Sequence, residues 1–329
     1  MHFMSSLGST ALPVTVSRII REAEGVVSIE LRAASGHPLP AFEAGAHIDL
    51  ELPLPGAPQV RQYSLCNDPA ERHRYVVAVG LDAQSRGGSA WIHEHLKEGD
   101  ELRIHGPRNN FPLDESAPHT ILVAGGIGIT PLLAMARRLS AVGRRWTLYY
   151  CVRTPSRAAF LGELLALGGQ VVPVHDGVPG VASLDLAAVM AQAQAHDHLY
   201  CCGPTGLLQA FLKAASARRA ETVHVEWFAA PAKPAAAPLA DGEFDVHLAR
   251  AQRVLRVAAG RSILDTLLEA GLDVPHSCRD GVCASCETRV LAGECDHRDL
   301  VLMPAEAAAN DRMMICVSRC KGASLTLDL

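Results

Sequence analysis

Cys278-Arg279-Asp280-Gly281-Val282-Cys283-Ala284-Ser285-Cys286, followed thirty residues later by Cys316, decides how the C-terminal part of this chain is built. The spacing is C-x4-C-x2-C with a distant fourth cysteine, the plant-type arrangement of a [2Fe–2S] site. Three thiolates on one tight loop and a fourth from a returning strand can enclose two irons. Gly281, Ala284 and Ser285 are small enough to let backbone N–H groups approach the sulfurs. Hydrogen bonds there stabilise the extra negative charge of a reduced cluster. The competing reading is structural zinc, but zinc sites pair C-x2-C elements, and x4 followed by x2 fits them poorly. The predicted ligands are therefore Cys278, Cys283, Cys286 and Cys316. Cys295-Asp296-His297 supplies C-x-H, the first half of a Rieske site. Its second half should read C-x2-H, and Cys316-Val317-Ser318-Arg319 ends in Arg, so that reading fails. Cys295 and Cys320 are expected to be ordinary thiols.

Upstream of the loop, Phe244–Leu248 and Val254–Val257 read as strands, and Ser262 to Ala270 as a helix. Before them, residues 230–242 are rich in Ala and Pro and read as an extended, semi-rigid linker. The preceding block alternates strand and helix. Thr120-Ile121-Leu122-Val123-Ala124 is a short, wholly apolar strand, and a helix follows over Pro131 to Ala141. Trp146 to Val152 is the next strand, with a helix from about Ser156. The strand His198–Cys202 precedes a helix from Gly206 to Ala217, and the block ends near Val223–Phe228. Such βαβα alternation implies a parallel sheet with helices on both faces.

Gly125-Gly126-Ile127-Gly128-Ile129-Thr130-Pro131 leaves the first of these strands and opens its helix. Glycines allow a sharp turn and a close approach of backbone to a pyrophosphate. Thr130 is expected to cap the helix and Pro131 to sit in its first turn. The free N–H groups of that turn favour phosphate. The third glycine of the strict G-x-G-x-x-G fingerprint is replaced by Pro131, so the loop alone equally suits a mere turn. Cys202-Gly203-Pro204 falls at the carboxyl edge of the same sheet, where open α/β sheets bind ligands. On its own, Cys202 reads as a buried structural thiol.

From Pro13 to about Pro112 the rhythm is different: short alternating segments broken by Gly and Pro. Val14–Ile19, Val26–Leu31, His47–Leu52, Tyr75–Val79 and Glu101–Ile104 read as strands of a small β-barrel, with one helix from Ser89 to about Leu96. Arg61-Gln62-Tyr63-Ser64-Leu65 combines a phosphate partner, an aromatic face and a hydroxyl. By itself this pentapeptide is an ordinary strand with a surface Arg. Arg86-Gly87-Gly88-Ser89 begins the helix and is a second phosphate-type helix start.

Taken in order, R-x-Y-S, R-G-G-S, G-G-I-G-I-T-P, C-G-P and C-x4-C-x2-C resemble the phthalate dioxygenase reductase family, within the ferredoxin–NADP reductase superfamily. Vanillate demethylase reductases are similar. The resemblance runs from about Pro13 to Leu329. It implies a flavin-binding β-barrel (1–114), a nucleotide-binding parallel α/β domain (115–229), the linker (230–242) and a C-terminal β-grasp ferredoxin (243–329). It further implies FMN between barrel and nucleotide domain. Arg61 would contact its phosphate, Tyr63 the ring face and Ser64 the ring near N5. Arg86, Gly87, Gly88 and Ser89 would cradle the phosphate. Gly126, Gly128 and Thr130 would hold the dinucleotide, with Cys202, Gly203 and Pro204 near the nicotinamide. Phe228 resembles the family's terminal aromatic beside the flavin. Ser64, Thr130, Cys202 and Phe228 would thus surround the hydride transfer.

One departure concerns the coenzyme. An NADH site usually carries a carboxylate at the ribose. After the strand ending at Val152 the chain reads Arg153-Thr154-Pro155-Ser156-Arg157, with no carboxylate before Glu163. Arg and Ser there could accept a 2′-phosphate, so NADPH stays open beside the family's usual NADH. The implied activity is a reductase that moves hydride from nicotinamide to FMN, then single electrons through the cluster to a Rieske-type oxygenase. A diiron hydroxylase or other acceptor, or an iron–sulfur redox sensor, are the alternatives.

Bulk composition agrees. The 329 residues carry a formal net charge of −5, which argues against nucleic-acid or acidic-lipid partners. Apolar residues make up 49% and charged residues 20%, as in a soluble globular protein. No run of about 18 apolar residues and no signal peptide is evident, so a cytoplasmic setting is expected. Six of the ten cysteines lie from Cys278 onward, which in a reducing compartment reads as metal binding rather than disulfides.

Overall fold

The computed structural model of the chain describes residues 11–54, 59–82, 87–231 and 242–329, with only the backbone of Pro304. Two compact units emerge, Met1–Glu226 and Trp227–Leu329. The first contains both the barrel and the parallel sheet. The Ala/Pro-rich segment lies almost entirely outside the described residues, as does Arg86.

Strands β1 (Leu12–Ala23), β2 (Val26–Ala33), β3 (His47–Leu52), β4 (Gln59–Ser64) and β5 (Tyr75–Gly80), helix α1 (Gly88–His95) and strand β6 (Glu101–Arg108) build the barrel. The antiparallel order is β4-β3-β6-β1-β2-β5. A bridge between Leu65 and Val77 joins the two ends of that order, and the Cys66 amide donates to Val76 O at 2.9 Å. The alternation that predicts these strands is the alternation that fills the barrel: Val14, Ile29, Leu31, Ile48, Leu50, Val77 and Ile104 are fully buried. The pentapeptide beginning at Arg61 is itself a strand, paired with β3 so that Tyr63 faces Ile48 and Ser64 faces His47.

The second half of this unit comprises β7 (His119–Gly125), α2 (Ile129–Ala141), β8 (Arg145–Val152), α3 (Leu161–Ala166), β9 (Gln170–His175), α4 (Leu186–Gln192), β10 (His198–Cys202), α5 (Thr205–Ala214) and β11 (Val223–Glu226). All neighbours are parallel, in the order β11-β10-β7-β8-β9. The direction of winding reverses between β7 and β10. Their carboxyl ends therefore flank the crevice in which such sheets take ligands. The helix expected from Ser156 is a single 3-10 turn, Pro155–Arg157, before α3. Thr130 does not cap α2: the helix starts at Ile129 after a 3-10 turn at Gly126–Gly128, and Gly128 holds the cap position.

The second unit has β12 (Phe244–Leu248), β13 (Arg253–Val257), α6 (Ile263–Glu269), β14 (Glu287–Ala292), β15 (Cys295–Asp296), α7 (Pro304–Ala309), β16 (Arg312–Met314), β17 (Arg319–Cys320) and β18 (Ser324–Leu327). The mixed sheet runs β13-β12-β18-β14-β16, with β12 and β18 parallel and α6 packed into its core. This is the β-grasp arrangement. Ser262 caps α6 by accepting the Asp265 amide at 3.0 Å. Among the described residues, no helix is long and apolar enough to cross a membrane.

Candidate functional site

Barrel and parallel sheet meet at one buried carboxyl. Glu226 ends β11, level with Cys202 at the end of β10. Its carboxyl accepts a hydrogen bond from the Ser64 hydroxyl, which β4 of the barrel delivers. Cys202 Sγ also approaches it, 3.9 Å from Oε2. Some of the residue still reaches the surface, but the carboxyl group itself lies deep. Burial disfavours its charged form and pushes its pKa up to about 8, against the hydrogen bonds from Ser64 and Cys202. Burial and the neighbouring Glu226 likewise hold the Cys202 thiol well above its ordinary range. At neutral pH the cluster is a hydroxyl, a thiol and a protonated carboxyl: three neutral groups able to hold or pass a proton.

The two turns of the crevice touch each other. A Cβ at Gly128 would lie 2.2 Å from the carbonyl oxygen of Cys202, and one at Gly125 would lie 2.6 Å from Pro204. No side chain fits at Gly128. Gly126 is different: its φ is +53°, and a Cβ there would meet nothing within 4 Å. It faces open space in the 3-10 turn that leads into α2, where a pyrophosphate can approach the backbone. Gly203 packs against Gly125 from the other turn. The Thr130 hydroxyl donates to Ile127 O at 3.1 Å and is almost fully buried, so it braces the loop from within.

In the barrel, Arg61 and the start of α1 form a second candidate anion cradle. Gly87 takes φ +87° before α1, and a Cβ at Gly88 would lie 3.0 Å from Arg61 Nε. The guanidinium of β4 therefore rests on the first turn of α1, held by Gln59 Oε1 at 2.6 Å and Val60 O at 3.0 Å. Ser89 accepts the Asp82 amide at 3.2 Å. Tyr63 is partly buried in the same strand, and burial pushes its phenol up to about 12. Phe228 is 44% exposed and belongs to the second unit.

In the second unit, Cys278, Cys283, Cys286 and Cys316 are all buried. Their thiols form a chain of contacts, Cys283 to Cys278, Cys278 to Cys316 and Cys316 to Cys286. Arg279 and Ala284 adopt positive φ, +62° and +56°, which curls the loop around the sulfurs. The Asp280 amide donates to Cys278 Sγ at 3.3 Å, and Ser285 Oγ lies 3.3 Å from Cys283 Sγ. Among the described residues no three His, Cys, Asp or Glu side chains are set to hold a single metal ion. A soft four-thiol donor set lined with amide and hydroxyl groups fits a two-iron cluster.

Three carboxylates escaped the sequence reading. Glu226 is the first. The second is Asp176, exposed just past β9, whose charge reaches the Cys151 thiol near the end of β8. The third is Glu24, in the turn between β1 and β2. It accepts from Ser156 Oγ at 2.8 Å and Arg157 at 3.3 Å, while its amide donates to Ser156 O at 2.8 Å. These bonds lower its pKa. Ser156 and Arg157, two of the residues suited to a 2′-phosphate, are thus bonded to a carboxylate of the barrel, while Arg153 stays exposed.

Comparison with known proteins agrees with this geometry. The 2Fe-2S iron-sulfur cluster binding domain family matches residues 246–321. "Phenoxybenzoate dioxygenase subunit beta" of Ectopseudomonas oleovorans is 49% identical over 98% of this chain and all of its own length. A solved structure of phthalate dioxygenase reductase, described as a modular structure for electron transfer from pyridine nucleotides to [2Fe–2S], is 41% identical. It covers 97% of this chain and 98% of its own, with a TM-score of 0.69. The chain belongs to the phthalate dioxygenase reductase family. An intact type IV self-sufficient cytochrome P450 monooxygenase matches 97% of the chain at 42% identity and a TM-score of 0.89; this chain spans 41% of that longer protein. As a family member the chain is an oxidoreductase, the reductase component of an oxygenase system, passing electrons from pyridine nucleotide through flavin to a [2Fe–2S] cluster.

Proposed function

We propose that this reductase draws hydride from NADH rather than NADPH onto FMN, and delivers single electrons from its cluster to a Rieske-type oxygenase in a transient complex. The observation that carries the flavin half is the meeting of Ser64, Cys202 and Glu226. It fuses the R-x-Y-S strand, the C-G-P turn and the last strand of the sheet into one water-poor corner.

Bound flavin accepts two electrons together and releases them singly, which a nicotinamide cannot do. Arg61 and the start of α1 would hold its terminal phosphate; a directly held phosphomonoester suits FMN. Tyr63 would cover a ring face. Gly126 and the start of α2 would take the dinucleotide pyrophosphate. Ser64, backed by the protonated Glu226, would hold a proton at Oγ beside the accepting atom. Alignment, not strong acid or base, is what these residues supply. Cys278, Cys283, Cys286 and Cys316 would ligate the irons.

NADH preference rests on charge. Asp176 is an exposed carboxylate placed by the parallel register beside the end of β8, suited to a ribose diol. Glu24 adds negative charge at Ser156 and Arg157, where a 2′-phosphate would otherwise be welcome. Extraction of the native flavin with mass measurement, and kcat/KM for NADH and NADPH, test this reading. FAD in the extract, or a preference for NADPH, overturns it. For the partner, turnover by a purified Rieske oxygenase should depend on added reductase; turnover at the same rate without it refutes the pairing.

A further inference from the structure

Cys295 and Cys320 lie outside the cluster and the flavin site, yet they face each other. They are direct partners across the short antiparallel ladder of β15 and β17. Both are free thiols in this structure. The hydrogen-bond pattern sets the kind of pair they form. The Lys321 amide donates to Glu294 O at 3.0 Å, one step outward, while the Cys295 amide turns away to Asn310 Oδ1 at 2.8 Å. Cys295 and Cys320 therefore occupy a non-hydrogen-bonded position. Opposed residues there have Cα atoms about 4.5 Å apart and side chains on one face. Disulfides need Cα separations of about 4.4–6.8 Å.

The remaining contacts leave room for such a bond. Cys295 Sγ rests 3.8 Å from Met313 Sδ, a soft neighbour that gives way easily. Cys320 is the more exposed of the two, with Sγ 3.3 Å from Ser324 O. Neither sulfur is tied into the four-thiol set.

We infer that Cys295 and Cys320 are a reversible oxidation site, closing to an intradomain disulfide under hydrogen peroxide and latching the segments that frame the cluster. Peroxide is the oxidant: Cys320 is oxidised to a sulfenic acid with release of one water. The Cys295 thiol then attacks that sulfur, forming S–S and releasing a second water. In sum, two thiols and one H2O2 give one disulfide and two waters, and a small dithiol reverses the step. Reduced flavoproteins yield peroxide when their electrons reach dioxygen instead of a protein acceptor, so the oxidant arises where the latch is needed.

The latch is well placed. β17 begins three residues after the ligand Cys316. β15 leads into Asp299, which accepts from the Val301 amide at 3.1 Å, the Leu302 amide at 2.9 Å and Ser318 Oγ at 3.3 Å. Beside it the Leu300 amide donates to Gly281 O at 2.9 Å, inside the cluster loop. A bond between β15 and β17 would pin both approaches to the ligands.

The experiment uses the holoprotein. It is treated with a few equivalents of hydrogen peroxide, quenched with catalase, alkylated and digested without reductant. The expected product is a peptide pair joined through Cys295 and Cys320, lost on prior dithiothreitol treatment. Iron loss to a chelator, followed by visible absorbance, should slow at least threefold after peroxide in wild type. It should not slow in Cys320→Ser, whose core residue Cys295 is untouched. Alkylation of both cysteines at a dose that oxidises other thiols overturns the proposal. So does a Cys320 found as sulfinic acid or joined to another residue. A linked pair that leaves iron loss unchanged overturns the latch.

Discussion

Glu226→Gln isolates the buried carboxyl of the proposed flavin site. In the folded chain this acid titrates near 8, against an ordinary 4.5. Its ionisation is therefore harder in the folded than in the unfolded state, and folding stability must fall as pH rises through that window. The contribution is intact below about pH 4.5, and the full difference corresponds to about 5 kcal/mol when both states are ionised. Between pH 6 and pH 8 the loss is about 2 kcal/mol. The glutamine variant keeps the shape and loses the titration. Urea unfolding of the holoprotein, followed by flavin release, should show wild-type stability declining by roughly that amount from pH 6 to pH 8 relative to the variant. The same group sets the expected rate profile. Wild-type flavin reduction should fall above about pH 8 as Ser64 loses its protonated partner, and this limb should vanish in the variant at a rate about tenfold or more lower. Parallel pH slopes of stability in the two proteins would refute the assignment of a buried, protonated Glu226.

Other residues give further tests. Arg61→Ala removes the charged partner of the α1 cradle and should weaken flavin binding by about 1.5–3 kcal/mol, read by fluorescence titration of the apoprotein. Gly128→Ala forces a methyl to within 2.2 Å of the Cys202 carbonyl; it should abolish nucleotide binding or lower the melting temperature by several degrees, measured by calorimetry. Asp176→Asn combined with Glu24→Gln should narrow the NADH-to-NADPH ratio of kcat/KM by about tenfold or more, because the like charges that repel a 2′-phosphate are removed. An unchanged ratio rejects both carboxylates as coenzyme determinants.

The features legible in the sequence are those whose chemistry fixes spacing. Cys278, Cys283 and Cys286 must curl around one cluster, and Gly126 and Gly128 must turn within three residues of a strand end; both patterns survive as local strings. Strands such as His47–Leu52 and His198–Cys202 were readable because one or both faces are buried. β9 was not, since Gln170-Val171-Val172-Pro173-Val174-His175 is a half-exposed edge with a proline, and its helix α4 is short. Glu226 was hidden for another reason. Val-His-Val-Glu reads as an ordinary alternating strand, and only the parallel register with Cys202 and the approach of Ser64 from a strand 160 residues earlier turn it into a site. A ribose carboxylate is not legible in the sequence that follows β8, where none occurs before Glu163. The sheet brings the end of β9 alongside it: the Gly177 amide donates to Arg153 O at 3.1 Å, next to Asp176. Thr130 reads as a cap in sequence because threonine often is one; a 3-10 turn at Gly126–Gly128 moves the helix start ahead of it.

A two-electron acceptor and a one-electron relay should work in series on this chain. Anaerobic stopped-flow mixing of the holoprotein with NADH tests it most directly. Flavin absorbance should bleach first, followed by cluster absorbance with a distinct, slower rate that is lost in Cys316→Ser. Full flavin reduction with the wild-type cluster left oxidised would rule out transfer between the two centres.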